Sequence, residues 1–139
     1  MRFFALAAML LMGCAMQHPS LFSLKYAVDD APKEGKIYVK YNNSLNKDVC
    51  IDPANWPSAH GEIDSGMDRV FIEVSGHRYT TEDFDTGYCP GCFSRVRSGS
   101  SLVGFFKYSD FGLPIEDYSK EKVLTFSPMA TYCRSKLRK

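Results

Sequence analysis

Apolar residues alternate with polar ones along most of this chain, and the alternation comes in short bursts separated by Gly, Pro, Asn and Ser. Residues 36 to 41 read Lys-Ile-Tyr-Val-Lys-Tyr, which puts Ile37, Val39 and Tyr41 on one side of a strand and Lys36, Tyr38 and Lys40 on the other. Ser23 to Val28 repeats the pattern with Leu24, Tyr26 and Val28. Val49-Cys50-Ile51 follows the turn residues Asn42 to Asn46, so a hairpin between these two strands is expected. Arg69 to Val74 and His77 to Thr81 flank Ser75-Gly76, a two-residue hairpin signal. Ser94 to Arg97 and Leu102 to Tyr108 flank Ser98-Gly99-Ser100 and predict another hairpin. Lys122 to Phe126 is a final core strand, and Ser127 to Cys133 a last extended or turn segment.

Nowhere in the body do apolar residues recur at i, i+3, i+4 and i+7 for three turns, which removes the α classes. Seven or eight short strands with turn residues between them predict an all-β fold, an antiparallel immunoglobulin-like β-sandwich. Two stretches break the pattern. Residues 52 to 68 hold two Pro, two Gly and scattered acids around the single Trp56; residues 82 to 92 hold Asp83, Asp85, Tyr88 and Cys89-Pro90-Gly91-Cys92. Long irregular connections in compact domains are functional or mobile.

The N-terminus has its own pattern: Arg2, an apolar run from Phe3 to Met12, then Gly13-Cys14. The run is too short to cross a bilayer as a helix and has the length of a signal-peptide core. A small residue directly before Cys at the end of such a run resembles the lipobox of bacterial lipoproteins. That resemblance implies cleavage before Cys14, lipidation of Cys14, and, because Ala15 rather than Asp follows, retention at the outer membrane facing the periplasm. Residues 1–13 are then a lipoprotein signal peptide, 14–21 a lipidated tether, 22–133 the β-sandwich domain and 134–139 a basic C-terminal tail.

Removing residues 1 to 13 of the 139 leaves 126, enough for one domain with a modest core. The chain carries 17 basic and 16 acidic residues, and the loss of Arg2 makes it formally neutral. No nucleic-acid footprint follows from that balance. Four of the basic residues, Arg134, Lys136, Arg138 and Lys139, fall in the last six positions, so the body before them is acidic.

Five Cys in an exported chain divide into one lipidated residue and an even set of four, which allows three disulfide connectivities. Pro and Gly between Cys89 and Cys92 favour a type II turn that brings their Cα atoms near disulfide distance. The expected pairing is therefore Cys89 with Cys92 and Cys50 with Cys133. A four-Cys zinc site needs a second closely spaced pair, and a thioredoxin-like site needs a helix after the motif; neither signal is present.

Asp83-Phe84-Asp85-Thr86-Gly87 alternates carboxylates as a calcium loop does, but the twelfth position is Ser94, where a bidentate Glu belongs. His18, His60 and His77 have no partner at ligand spacing, and no nucleophile or phosphate-loop motif occurs. The sequence thus gives no catalytic residue, no metal site and no cofactor. Trp56 is either an exposed anchor for a partner or a lid folded over one end of the core.

With the lipobox, the short strands, Val49-Cys50 and a Leu-Thr-Phe strand leading to a C-terminal Cys, the chain resembles the small periplasmic lipoproteins described as immunity proteins of type VI secretion. This implies a non-catalytic module that binds and neutralises a protein toxin. The expected partner-binding residues are Trp56, Tyr88, Asp83 and Asp85, on the two irregular stretches. A lysozyme-type hydrolase inhibitor and a structural envelope lipoprotein are the alternatives.

Overall fold

The computed structural model describes residues 20–64, 67, 69–81 and 92–134. Ten strands occur among them: β1 Phe22–Ser23, β2 Ala27–Ala31, β3 Lys36–Asn42, β4 Val49–Ile51, β5 Phe71–Val74, β6 His77–Thr80, β7 Ser94–Val96, β8 Ser101–Lys107, β9 Val123–Thr125 and β10 Met129–Tyr132. All pairings are antiparallel and build three sheets, ordered β1-β10-β4-β7, β2-β3-β8 and β6-β5-β9. No α-helix occurs among the described residues; three single 3-10 turns lie at Pro53–Asn55, Tyr108–Phe111 and Ile115–Asp117. The all-β antiparallel class expected from the alternation is the one adopted, and it is consistent with a β-sandwich. The strand order alone does not define an immunoglobulin topology.

The alternation sets the core directly. Ile37, Val39 and Tyr41 of β3 are buried, as are Val49 and Ile51 of β4, Ile72 and Val74 of β5, Val96 of β7 and Phe106 of β8. Because side chains on a strand point alternately to the two faces, each buried residue leaves its neighbour outward. The Ser75-Gly76 hairpin forms as expected between β5 and β6. Both turn residues have positive φ, 50° and 80°, the twist that suits a two-residue hairpin.

Two expected hairpins do not form. β3 pairs with β2 and β8, whereas β4 pairs with β10 and β7, so the chain changes sheet between residues 42 and 49. It changes back between β7 and β8. The reason is Asn43, only 1% exposed. Its Nδ2 donates to the carbonyls of Lys47 and Val96, both at 2.9 Å, and its Oδ1 accepts from the Leu45 N–H and the Tyr41 hydroxyl. Its backbone N–H donates to Ser100 O, and its carbonyl accepts from Gly99 N–H. One buried amide therefore ties both crossing segments into a corner where local turn chemistry alone would have returned each strand on itself. The expected first strand also divides: Leu24 is buried, but Val28 is 50% exposed at the edge of its sheet.

The stretch 52–64 is not a free loop. Asp52 caps the turn Pro53–Asn55 by accepting from Ala54 N–H. Trp56, Pro57, Ile63, Met67 and Val70 are all buried. A Cβ on Gly104 of β8 would lie 2.1 Å from the Pro57 carbonyl oxygen, so only glycine lets this segment close on the strand. Gly61 meets the ring of Phe105, the next residue of β8, whose side chain points to the opposite face. The segment thus touches both faces of β8, an edge strand of its sheet.

Candidate functional site

Cys50 and Cys133 form the expected disulfide, with Cα atoms 5.0 Å apart. Cys50 leaves β4 on the side opposite to buried Val49 and Ile51, and Cys133 directly follows β10, the neighbouring strand. Cys92 is disulfide-bonded. Its expected partner Cys89 lies outside the described residues, as do Cys14, Tyr88, Asp83 and Asp85.

Trp56 takes the second of the two places open to it. It is 5% exposed and packs against Tyr26, Tyr41 and Phe126 at ring-centroid separations of 6.2, 6.5 and 5.8 Å. It is a lid on the core and is not available as an exposed anchor. Its Nε1–H has no hydrogen-bond partner among the described residues.

Two clusters of ionisable groups are candidates for chemistry, since perturbed titration marks functional sites. In the first, the Tyr108 hydroxyl donates to Asp30 Oδ1, and Lys122 Nζ reaches Asp30 Oδ2 at 3.1 Å. Burial, then the Asp30 carboxylate, pushes the Tyr108 hydroxyl well above its ordinary range. Lys122 has a side chain only 1% exposed, lies 4.7 Å from the Tyr108 ring centroid and donates to the Tyr118 and Lys120 carbonyls. In the second, Asp117 accepts from Tyr79 at 2.8 Å and pairs with Lys120 at 2.6 Å. Lys120 first, and the Tyr79 hydroxyl next, hold its carboxyl below the usual carboxylate range. These groups spend their polar atoms on one another and fasten the 108–122 connection to β2 and β6. They are latches.

The surface with unspent capacity is the outer face of the β2-β3-β8 sheet. Pairing aligns Ala27, Lys40 and Val103 in one row, and Asp29, Tyr38 and Phe105 in the next. Tyr38 and Phe105 rings lie 5.5 Å apart. Lys36 Nζ sits 4.6 Å from the Phe105 centroid, and the Tyr38 hydroxyl donates to Glu34 at 2.6 Å. That bond, with some burial and the Glu34 and Asp29 charges, raises the Tyr38 hydroxyl above its ordinary value. Beside the rings opens a cleft of about 410 Å³ lined by Ala27, Val28, Asp29, Tyr38, Lys40 and Val103. Val103 is 44% exposed. The face thus carries Tyr38 between Lys36 and Lys40 along the central strand β3, with Asp29 beside it on β2 and with Val103 and Phe105, the latter against Gly61, on β8.

None of these residues stands out in the sequence. The available signal is β8 itself: Leu-Val-Gly-Phe-Phe is apolar on both faces, and a strand of that kind covers something on each side. No group of His, Cys, Asp and Glu side chains able to hold a metal ion occurs among the described residues, and His60 and His77 are exposed. No family model, no curated protein and no solved structure matches this chain.

Proposed function

We propose that this chain is a lipid-anchored periplasmic binding protein that docks a protein partner on the outer face of the β2-β3-β8 sheet, and that it neutralises a toxin delivered into the periplasm. The observation that carries the docking role is the make-up of that face, where Tyr38 and Phe105 stack beside half-exposed Val103 and a cleft, with Asp29, Lys36 and Lys40 set among them. Protein interfaces are enriched in exposed aromatic residues of this kind. The lipobox at Cys14 supports the location, and the resemblance to immunity lipoproteins supports neutralisation as the role. The sheet face takes the place of Trp56, which is committed to the core, while Tyr88, Asp83 and Asp85 lie outside the described residues.

Co-expression with a periplasm-directed toxin encoded next to the gene tests neutralisation. Cells carrying the chain should survive, and cells carrying Val103→Asp with Tyr38→Ala should not. The purified variant should melt like the parent, since both positions are on the outer face. Survival unaffected by the two substitutions would remove the docking face, and inhibition of a muramidase in place of protection would favour the hydrolase-inhibitor role. Cys14→Ser should abolish labelling with palmitate.

A further inference from the structure

The first and last strands among the described residues are neighbours, and that brings Leu21 and Arg134 to one pole. β1 pairs antiparallel with β10, with Phe22 opposite Ala130, so the chain enters beside the point where it leaves. β10 pairs with β4 so that Tyr132 faces Val49, and Val49 faces Val96 of β7. The residues just beyond these positions therefore share one end of the four-stranded sheet: Leu21, Lys47, Arg97 and Arg134. The Cys133 N–H donates to Asp48 O at 3.0 Å, which fixes the exit of β10 against the entry to β4.

Basic residues outnumber acidic ones at this pole. Lys47, Arg97 and Arg134 are exposed. The one acid among these strand ends, Asp48, is engaged by Arg95 at 2.8 Å and by the Ser98 N–H. Those two bonds hold its carboxyl below the usual range. Beyond Arg134 the sequence adds Lys136, Arg138 and Lys139. Apolar and aromatic groups accompany the charge: Leu21 is 64% exposed, Tyr132 is 41% exposed and stacks on Phe22 at 5.0 Å, and Lys47 Nζ lies 5.2 Å from the Tyr132 centroid. Basic residues around a Tyr, with an exposed Leu beside them, are what an interfacial membrane contact uses.

The chain's own anchor points the same way. Cys14 precedes Phe22 by eight residues, a span of at most about 28 Å when fully extended. A lipid on Cys14 holds this pole, before any other part of the domain, against the bilayer. We propose that the pole carrying Leu21, Lys47, Arg97, Tyr132 and Arg134 is a membrane-facing surface that rests on anionic phospholipid headgroups. The lipid then supplies attachment and the pole supplies orientation. The β2-β3-β8 sheet begins at the same corner, where Asn42 faces Ser101 and the Asn43 amide bonds to Lys47 and Val96.

The inference rests on the lipidation reading for its setting, and its test does not use the lipid. The mature chain carrying Cys14→Ser is sedimented with vesicles of phosphatidylglycerol or of phosphatidylcholine, at low and at high salt. Binding is expected to the phosphatidylglycerol vesicles alone and to fall with salt. Lys47→Gln, Arg97→Gln and Arg134→Gln together should weaken it on the order of a hundredfold, from about 1 kcal/mol for each basic residue near a charged surface. All three sites are exposed, and an unchanged melting curve establishes that the fold is intact. Equal binding to both vesicles, no binding to either, or an unchanged affinity in the triple variant would overturn the proposal. So would binding to polyglutamate as tight as to the anionic vesicles, which would assign the pole to an acidic protein surface. Palmitate labelling of the parent chain reports the lipid attachment separately, so either can fail without the other.

Discussion

At the scale of single residues, the two polar groups that matter most are buried and opposite in kind. Asn43 makes four side-chain hydrogen bonds, while the Trp56 indole N–H makes none among the described residues. A buried donor without a partner is costly, so its removal costs less than the removal of the ring that carries it. Trp56→Ala is expected to lose about 3–5 kcal/mol, the range for emptying an aromatic site in a core. Trp56→Phe should lose well under half of that, because it keeps the stack on Tyr26, Tyr41 and Phe126 and deletes the orphan donor. Denaturant unfolding of the two variants checks the order. An Ala variant as stable as the parent would contradict the lid. Affinity for a partner should not change in either.

Asp117 and Asp48 define the acid limb of stability. Both carboxyls titrate lower in the folded chain than in the unfolded one, Asp117 through Lys120 and Tyr79, Asp48 through Arg95 and the Ser98 N–H. The unfolded chain therefore binds protons first as pH drops. Their contribution is complete above the ordinary carboxylate range, near pH 4, and is lost as pH falls below it through the folded values. Thermal melts from about pH 6 downward should show a midpoint that holds and then drops below about pH 4. Asp117→Asn should flatten that drop while lowering the midpoint at neutral pH. A drop of unchanged steepness would show that Asp117 takes no part.

At the scale of elements, the decisive facts are joins between segments far apart in the chain. The Cys50–Cys133 disulfide spans 83 residues and closes β4 and β10 against each other. In the chain-entropy account a loop of that length contributes about 4 kcal/mol or slightly more, by restricting the unfolded state. Replacing both Cys by Ser should lower stability by about that amount, with a lower denaturant midpoint as the readout. Non-reducing peptide mapping should recover the 50–133 pair in the parent. The other join is Pro57 on Gly104. Gly104→Ala drives a methyl into a backbone carbonyl that no rotamer change moves, and a cost of about 1–3 kcal/mol or more is expected. Gly99→Ala, where a Cβ would meet nothing within 4 Å, serves as the control, with only its positive φ of 76° to oppose it. Equal losses at the two positions would mean that the 52–64 segment does not press on β8.

The same joins explain which elements were legible. The β5–β6 hairpin was, because Ser75-Gly76 carries its turn type and the pairing is local. The β3–β4 hairpin was not, because Asn43 has the chemistry of a turn residue whether its amide bonds close at hand or, as it does, to Val96 53 positions away. Ser98-Gly99-Ser100 misled for the same reason. It does turn the chain, with Ser100 N–H donating to Arg97 O, but it delivers β8 to a different sheet from β7.

At the scale of the whole molecule, the two proposed roles fall on two separate surfaces: a basic pole where Leu21 and Arg134 lie, and an open sheet face that starts at that corner. They share no residue, so changes in them should act independently. Val103→Asp with Tyr38→Ala should leave vesicle sedimentation of the Cys14→Ser chain unchanged, and the three Gln substitutions at the pole should leave protection by the full-length chain intact while the lipid holds it. Loss of protection in the pole variant with the lipid attached would show that orientation on the membrane, and not attachment alone, is needed for docking.

By itself the sequence determined the class of this fold, its core strands and one distant disulfide. Alternation is a local property, and it states which side of each strand is apolar before any partner is known. The count of Cys in a chain read as exported, with a Pro-Gly turn between two of them, left Cys50 for Cys133 before any fold was known. What the tertiary structure decided was where each face goes. Ile37 and Phe105 are both apolar residues on alternating strands, yet Ile37 is 1% exposed in the core, whereas Phe105 stands on the outer face beside Tyr38. Trp56 in a Pro-rich stretch reads equally as anchor and as lid until the rings of Tyr26, Tyr41 and Phe126 are assembled around it. Basic residues at positions 47, 97 and 134 become one surface only when β10, β4 and β7 lie side by side. Hydrogen bonds between strands are made across the chain, and their energy depends on which segments meet, a quantity that no window of neighbouring residues contains.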